Sequence, residues 1–120
     1  MANVLVVDDA AFMRMKIQQV LEAHGHSMAG EAANGIEAVE MYKKVNPDVV
    51  ILDITMPEMN GIEALKRIKE IDPKARIIIC SAMGYQDLIA KAIQYGAQDF
   101  VVKPFEEAHL IGSVEKVMSR

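Results

Sequence analysis

The chain lacks the features that stabilise small secreted proteins or anchor proteins in membranes. Cys80 is the only cysteine in 120 residues, so no internal disulfide can form, and we expect a reducing, cytoplasmic location. No uninterrupted apolar run is longer than four residues, which argues against a membrane-spanning helix. The N-terminus shows no basic segment followed by a long apolar one, so we expect no signal peptide.

An excess of basic residues and a glycine-rich phosphate loop are also missing. Lys and Arg number 13 against 17 Asp and Glu, for a net charge of -4. The sequence shows no basic stripe, which argues against a nucleic-acid partner. The first apolar run is not followed by a glycine-rich loop, which argues against a nucleotide-binding α/β domain. With 52% hydrophobic and 25% charged residues, the composition predicts one globular domain over residues 1–120.

Short apolar runs alternate with helical patterns along the chain. Residues 4–7, 49–52, 77–80 and 100–102 are continuous apolar runs, typical of strands buried on both faces, and residues 27–32 form a weaker candidate. Between and after these runs, apolar residues recur at helical spacing. Five strands alternating with five helices predict an α/β fold, a doubly wound parallel sheet with helices on both faces.

Two of the helices have clear start signals. Asn34 is followed by Glu37, and Asn60 by Glu63, a spacing in which both side chains can satisfy free backbone amides at a helix N-terminus. Asn34-Gly35 also fits a hairpin turn. The periodic apolar residues that follow favour the helix.

Charged and hydroxyl side chains follow the predicted strands. Asp8 and Asp9 end the first strand, Asp53 the third, Ser81 the fourth and Lys103 the fifth. The carboxyl ends of parallel strands share one edge, with neighbouring strands about 5 Å apart, so these groups can converge. Clustered carboxylates repel one another, and a hard divalent cation such as Mg²⁺ relieves that repulsion. A carboxylate nucleophile, a metal, a cation and a hydroxyl suit phosphoryl transfer, with Asp53 as the acceptor.

Each of these residues also has a simpler structural interpretation. Asp9 could cap the first helix, Asp53 could contact backbone amides in a loop, Ser81 could cap the next turn, and Lys103 could be a solvated surface residue. Their joint occurrence at the strand ends favours a site.

The cysteine and two histidines have structural interpretations as well. Cys80 precedes Ser81 in an apolar run with no basic neighbour, which favours a core residue over a reactive thiol. His24 and His26 flank Gly25, where a solvated corner is favoured over a metal site.

Four motifs occur in order along the chain, and the match that they make extends over its whole length. They are Val6–Asp9, Leu52–Pro57 with Gly61, Ser81-Ala82, and Lys103–Phe105. In these motifs the sequence resembles the receiver domains of two-component signalling, and in particular the stand-alone chemotaxis response regulators. The resemblance implies a flavodoxin-like fold with strand order 2-1-3-4-5. It also implies a signalling phosphoacceptor that catalyses only its own phosphotransfer and slow self-dephosphorylation.

The resemblance assigns metal ligands and the phosphoacceptor to residues of this sequence. Asp53 is the implied phosphoacceptor. Asp9, Asp53 and the backbone carbonyl of Thr55 are implied to bind Mg²⁺ directly, and Asp8 to act mostly through a bound water.

Further roles follow from the later motifs. Ser81 and Lys103 are implied to hold the phosphoryl oxygens, and the Lys103-Pro104 peptide to be cis. Ser81 and Phe100 are the implied switch residues. Many chemotaxis regulators carry tyrosine at the position of Phe100, so a switch here would depend on burial of the ring and not on a hydroxyl.

The resemblance also implies partners. We expect a chemotaxis-type histidine kinase as phosphoryl donor, a flagellar motor switch protein as target, a phosphatase as regulator, and a monomeric chain. A phosphorelay intermediate and, from another class, a Mg²⁺-dependent aspartate-based phosphatase stay open as alternatives. The expected partner surface comprises Tyr85, Ile89, Ala97, Phe100 and Val102.

Overall fold

The structure is a computed structural model that describes residues 1–54, 56, 60–82 and 84–119. Strands and helices alternate along the chain. They are β1 Asn3–Val7, α1 Ala11–Ala23, β2 Ser27–Ala32, α2 Gly35–Val45, β3 Val49–Leu52, α3 Gly61–Ile71, β4 Ile77–Ala82, α4 Gln86–Gln94, β5 Asp99–Lys103 and α5 Glu107–Met118. Across these residues, no helix has both the length and the hydrophobicity that crossing a membrane requires.

The five strands form one sheet in the order β2-β1-β3-β4-β5, and all four pairings are parallel. This confirms the predicted α/β fold and its strand order. Val7 is level with Leu52, which is in turn level with Ile79 of β4. The ends of the central strands therefore lie side by side, and the residues after them share one edge of the sheet.

The predicted start signals of α2 and α3 are confirmed. The Asn34 side chain accepts a hydrogen bond from the Glu37 amide at 2.9 Å, and the Glu37 carboxylate accepts one from the Ala33 amide at 2.9 Å. Asn60 accepts from the Glu63 amide at 3.0 Å in the same way. Residues 34 and 35 thus begin a helix and not a hairpin.

The helices cover both faces of the sheet. Strand side chains alternate between the faces, so that Leu5 and Val7 join one buried cluster and Val4 and Val6 the other. The first cluster packs under α2, α3 and α4, and the second under α1 and α5. The two-layered core holds the strand ends in fixed positions relative to one another.

The prediction of a solvated corner is wrong for His26, although His24 is exposed. His26 is only 8% exposed, and its Nδ1 accepts a hydrogen bond from the Ala2 amide at 3.0 Å. An accepting Nδ1 places the proton of the neutral ring on Nε2, which lies 3.8 Å from Glu115. Ala2, which lies 24 positions earlier in the chain, thus contacts the ring.

Candidate functional site

Three carboxylates meet where β1 and β3 end. Asp8 and Asp53 each extend the ladder by one bond: the Asp8 amide donates to the Ala32 carbonyl at 3.1 Å, and the Asp53 amide donates to the Val7 carbonyl at 3.0 Å. Both side chains are buried, whereas Asp9 is exposed. One carboxylate oxygen from each of Asp8, Asp9 and Asp53 lies within 4.8 Å of the others.

Lys103, at the end of β5, is the cation beside these carboxylates. Its Nζ lies 2.7 Å from Asp8 Oδ2 and 3.5 Å from Asp53 Oδ2. Burial lowers the pKa of Lys103, but the hydrogen bond to Asp8 and the charges of Asp53 and Asp8 outweigh it, so the pKa is raised overall. The ammonium group is therefore charged at neutral pH and compensates part of the negative charge.

The loop after β1 presents Asp9 without using it as a helix cap. Ala10 is the N-cap residue of α1, and no side chain caps the helix there. The Asp8 carboxylate instead accepts a hydrogen bond from the Ala10 amide at 2.9 Å. The capping interpretation of Asp9 is thus not what the structure shows.

A close backbone approach supports Asp53 from behind. The Gly61 amide donates to the Ile54 carbonyl at 3.2 Å. A Cβ atom at residue 61 would overlap the Asp53 carbonyl oxygen and the Ile54 Cα. Glycine is required here because the start of α3 lies directly against the backbone of the central carboxylate.

The remaining predicted site residues lie at the same edge or outside the described residues. Ser81 lies within β4, which continues to Ala82, and its hydroxyl donates to the Ala82 carbonyl at 3.2 Å. Ala82 is level with Lys103, and the Lys103-Pro104 peptide is cis. Thr55, whose carbonyl was the expected fourth metal ligand, is not among the described residues.

Cys80 is a core residue, as predicted. Its side chain is 1% exposed, and burial raises its pKa to about 12, with opposing influences from Lys103 and from the carboxylates Asp8 and Asp53. A thiol with this pKa stays protonated and unreactive at neutral pH.

A shallow apolar groove of about 650 Å³ lies beside the site, between α4 and β5. Tyr85, Ile89, Phe100 and Val102, four of the five predicted surface residues, line it, and the Phe100 side chain is 42% exposed. Ala97 is a correction: it is 6% exposed and packs in the core under α4, because the turn after α4 directs it inward.

Arg14 was not singled out from the sequence. Its guanidinium donates to the Asp8 carbonyl oxygen at 2.6 Å and to the Glu31 carboxylate at 2.6 Å. Arg14 ends the stretch Val7–Arg14, which is similar to the start of many chemotaxis regulators. Its contacts could not be predicted from that stretch, because its partners lie 6 and 17 positions away.

The composition of the site suits a hard divalent cation. Its ligand groups are carboxylate oxygens, and among the described residues three carboxylates lie beside the Lys103 ammonium group, so negative charge is in excess there. Oxygen-only ligands with two neighbouring carboxylates are typical of Mg²⁺ sites that also bind phosphate oxygens. The edge therefore fits Mg²⁺ and a phosphoryl group together.

Comparisons with known proteins agree with this geometry. Residues 4–115 match the family model of the response regulator receiver domain. The chemotaxis protein CheY of Thermotoga maritima is 56% identical, with 96% of each chain covered, and CheY of Bacillus subtilis is 54% identical, with 98% of each chain covered. In the crystal structure of a CheX-CheY-BeF3-Mg complex from Borrelia burgdorferi, a chain that is 41% identical superposes with a TM-score of 0.93, covering 98% of this chain and 90% of that one. The chain belongs to the response regulator receiver domain family.

Proposed function

We propose that this chain is a phosphorylation-activated chemotaxis response regulator whose phosphoacceptor is Asp53. The observation that carries the proposal is the meeting of Asp8, Asp9 and Asp53 within 4.8 Å, with Lys103 Nζ 3.5 Å from Asp53. The curated relatives described above are chemotaxis proteins of nearly the same length. They favour this function over a phosphorelay intermediate and over a metabolite phosphatase.

In the proposed reaction, a histidine kinase supplies a phosphohistidine. A carboxylate oxygen of Asp53 attacks the phosphorus, an O–P bond forms, and the N–P bond breaks with its electron pair left on the imidazole. Asp9, Asp53 and the carbonyl of Thr55 would hold Mg²⁺, with Asp8 acting through a water, and the bound ion would supply positive charge beside the carboxylates and the phosphoryl oxygens. Lys103 pairs with the remaining charge, and the Ser81 hydroxyl turns from the Ala82 carbonyl to a phosphoryl oxygen.

The output step is a change in the groove between α4 and β5. Movement of Ser81 toward the phosphoryl group frees space that the exposed Phe100 ring enters. The groove lined by Tyr85, Ile89 and Val102 then changes shape, and a flagellar motor switch protein binds there. Such a switch requires a difference of a few kcal/mol in partner affinity between the two states.

Several further attributes belong to the same proposal. Residues 1–120 form a single receiver domain that is cytoplasmic and monomeric before phosphorylation. It acts as a signalling phosphoacceptor that catalyses its own phosphotransfer and slow self-dephosphorylation, and a phosphatase partner shortens its active state.

Phosphorylation-site mapping tests the proposal. The chain is incubated with a small acyl phosphate and Mg²⁺, and the modified residue is identified by mass spectrometry. We expect the phosphoryl group on Asp53, no incorporation in Asp53→Asn, and none without Mg²⁺. Asp99→Asn is the matched control, because it changes a partly buried aspartate at the opposite edge of the sheet and should incorporate phosphate normally. Modification at another residue would refute the assignment.

A further inference from the structure

Arg14 connects the acidic loop to the edge strand of the sheet. It is the fourth residue of α1, and its side chain is 16% exposed. Helical side chains tilt toward the N-terminus, so an arginine at this position reaches back over the loop that precedes the helix. There Nη1 donates to the Asp8 carbonyl at 2.6 Å, and Nε donates to Glu31 Oε1 of β2 at 2.6 Å.

This contact completes a set of bonds around one residue. The Asp8 amide donates to the carbonyl of Ala32. In the Asp8 carboxylate, Oδ1 accepts from the Ala10 amide and Oδ2 accepts from Lys103 Nζ. The carbonyl oxygen is held by Arg14. Asp9 follows directly and is exposed, so the bonds to Asp8 and Ala10 on either side set where its carboxylate lies.

The charge of Arg14 alone would oppose binding of a cation. A guanidinium against the backbone of a metal-binding loop repels Mg²⁺, and Glu31 compensates that charge at 2.6 Å. If Arg14 favours Mg²⁺ binding, it must do so through geometry, because its N–H groups hold two acceptors at once in a fixed arrangement.

We propose that Arg14, fixed by Glu31, is a positioning residue that holds the Asp8-Asp9 loop in the geometry required for Mg²⁺ binding. The inference rests on the proposed function, since it assumes that the carboxylates bind Mg²⁺. Loss of a group that orients metal ligands from the outer shell typically lowers metal affinity about 10-fold or more.

Two substitutions separate geometry from charge. Arg14→Lys keeps the positive charge but replaces the planar fork by one ammonium group, so we expect the Mg²⁺ dissociation constant to rise several-fold. Arg14→Gln removes the charge as well. If position dominates, its dissociation constant rises about 10-fold; if Arg14 is only a nearby cation, affinity increases instead.

The experiment is a calorimetric titration of MgCl₂ into each variant. Two further readouts are thermal unfolding in EDTA and the NMR chemical shift of the Asp9 backbone amide. Arg67→Gln is the matched control, because Arg67 forms an exposed pair with Glu63 at 3.9 Å. It should leave the dissociation constant unchanged. The acyl phosphate reaction should need more Mg²⁺ in Arg14→Lys, with little change in rate at saturating Mg²⁺.

The outcomes distinguish this inference from the function on which it rests. If the wild-type chain binds no Mg²⁺, the proposed function fails. If the wild type binds Mg²⁺ and Arg14→Lys binds it equally well, only the positioning role is overturned. Because Arg14→Lys keeps the charge and most of the side chain, it provides this test even if Arg14→Gln does not fold.

Discussion

The two edges of the sheet differ in how their polar side chains are paired. At the amino edge, polar side chains meet partners of the chain itself: Asp48 accepts from the Asn3 amide at 2.9 Å, and Gln98 accepts from the Ile77 amide and donates to the Ala75 carbonyl. These contacts close open ends of the strand ladder, and their partners are backbone groups. These polar side chains of the amino edge thus find their partners within the fold.

At the carboxyl edge, negative charge is in excess among the residues that the structure describes. Asp8, Asp9 and Asp53 lie together there beside the ammonium group of Lys103. A protein gains no stability from such an excess, since buried like charges repel. The difference between the edges supports the proposal that a cation and a phosphoryl group bind at the carboxyl edge.

The largest expected effect comes from removing the cation of the carboxyl edge. Lys103→Met removes the ammonium group beside the buried carboxylates of Asp8 and Asp53, which we expect to lower the free energy of unfolding by about 3 kcal/mol in EDTA. Mg²⁺ should restore part of it by taking over the charge. Urea unfolding with and without Mg²⁺ measures both. Lys116→Met, which breaks a half-exposed pair with Asp99 at 3.4 Å, is the control and should cost under about 1 kcal/mol. A Lys103→Met protein as stable as the wild type in EDTA would remove the distinction between the edges.

A smaller effect is expected at the amino edge. Gln98→Ala leaves the Ile77 amide and the Ala75 carbonyl without these bonds, at a cost of about 2 kcal/mol in unfolding free energy. Mg²⁺ affinity should not change, because the substitution lies at the opposite end of the strands. Gln94→Ala, an exposed glutamine at the end of α4, is the matched control with no expected loss. A changed Mg²⁺ dissociation constant in Gln98→Ala would show that the edges are coupled.

The smallest effect concerns pH. The pKa of Cys80 is raised from 9.0 to about 12, so the folded chain keeps a proton that the unfolded chain loses above pH 9. The contribution to stability is complete below pH 9 and declines as the pH rises toward 12. At pH 10 the decline is about 1.4 kcal/mol. Urea unfolding of the wild type and of Cys80→Ala at pH 8 and pH 10 isolates the part of this loss that is due to the thiol. An equal loss of unfolding free energy in both proteins would contradict a raised pKa at Cys80.

The local patterns of the sequence were sufficient for much of the fold. Four apolar runs and the weaker candidate at residues 27–32 predicted the five strands, and the pairs Asn34 with Glu37 and Asn60 with Glu63 predicted two helix starts that the structure confirms. These signals act within a few residues, so they can be found without knowing the fold. The strands then determined which residues share the carboxyl edge.

The sequence was less informative wherever the deciding contact was distant. His26 was predicted to be exposed because its neighbours suggest a turn. It is buried, and its ring accepts a hydrogen bond from the amide of Ala2, 24 residues away. Ala97 was expected on a surface, and the orientation of one turn places it in the core. The contacts of Arg14 could not be predicted either, since they join helix α1 to Asp8 and to Glu31 of β2.

The glycine that lies against Asp53 limits how this loop can diversify. Because any side chain at residue 61 would collide with the main chain of Asp53, the proposed phosphoacceptor, a substitution there would displace that residue. Engineering that aims to adjust the lifetime of the proposed phosphorylated state should therefore change neighbouring positions and keep Gly61.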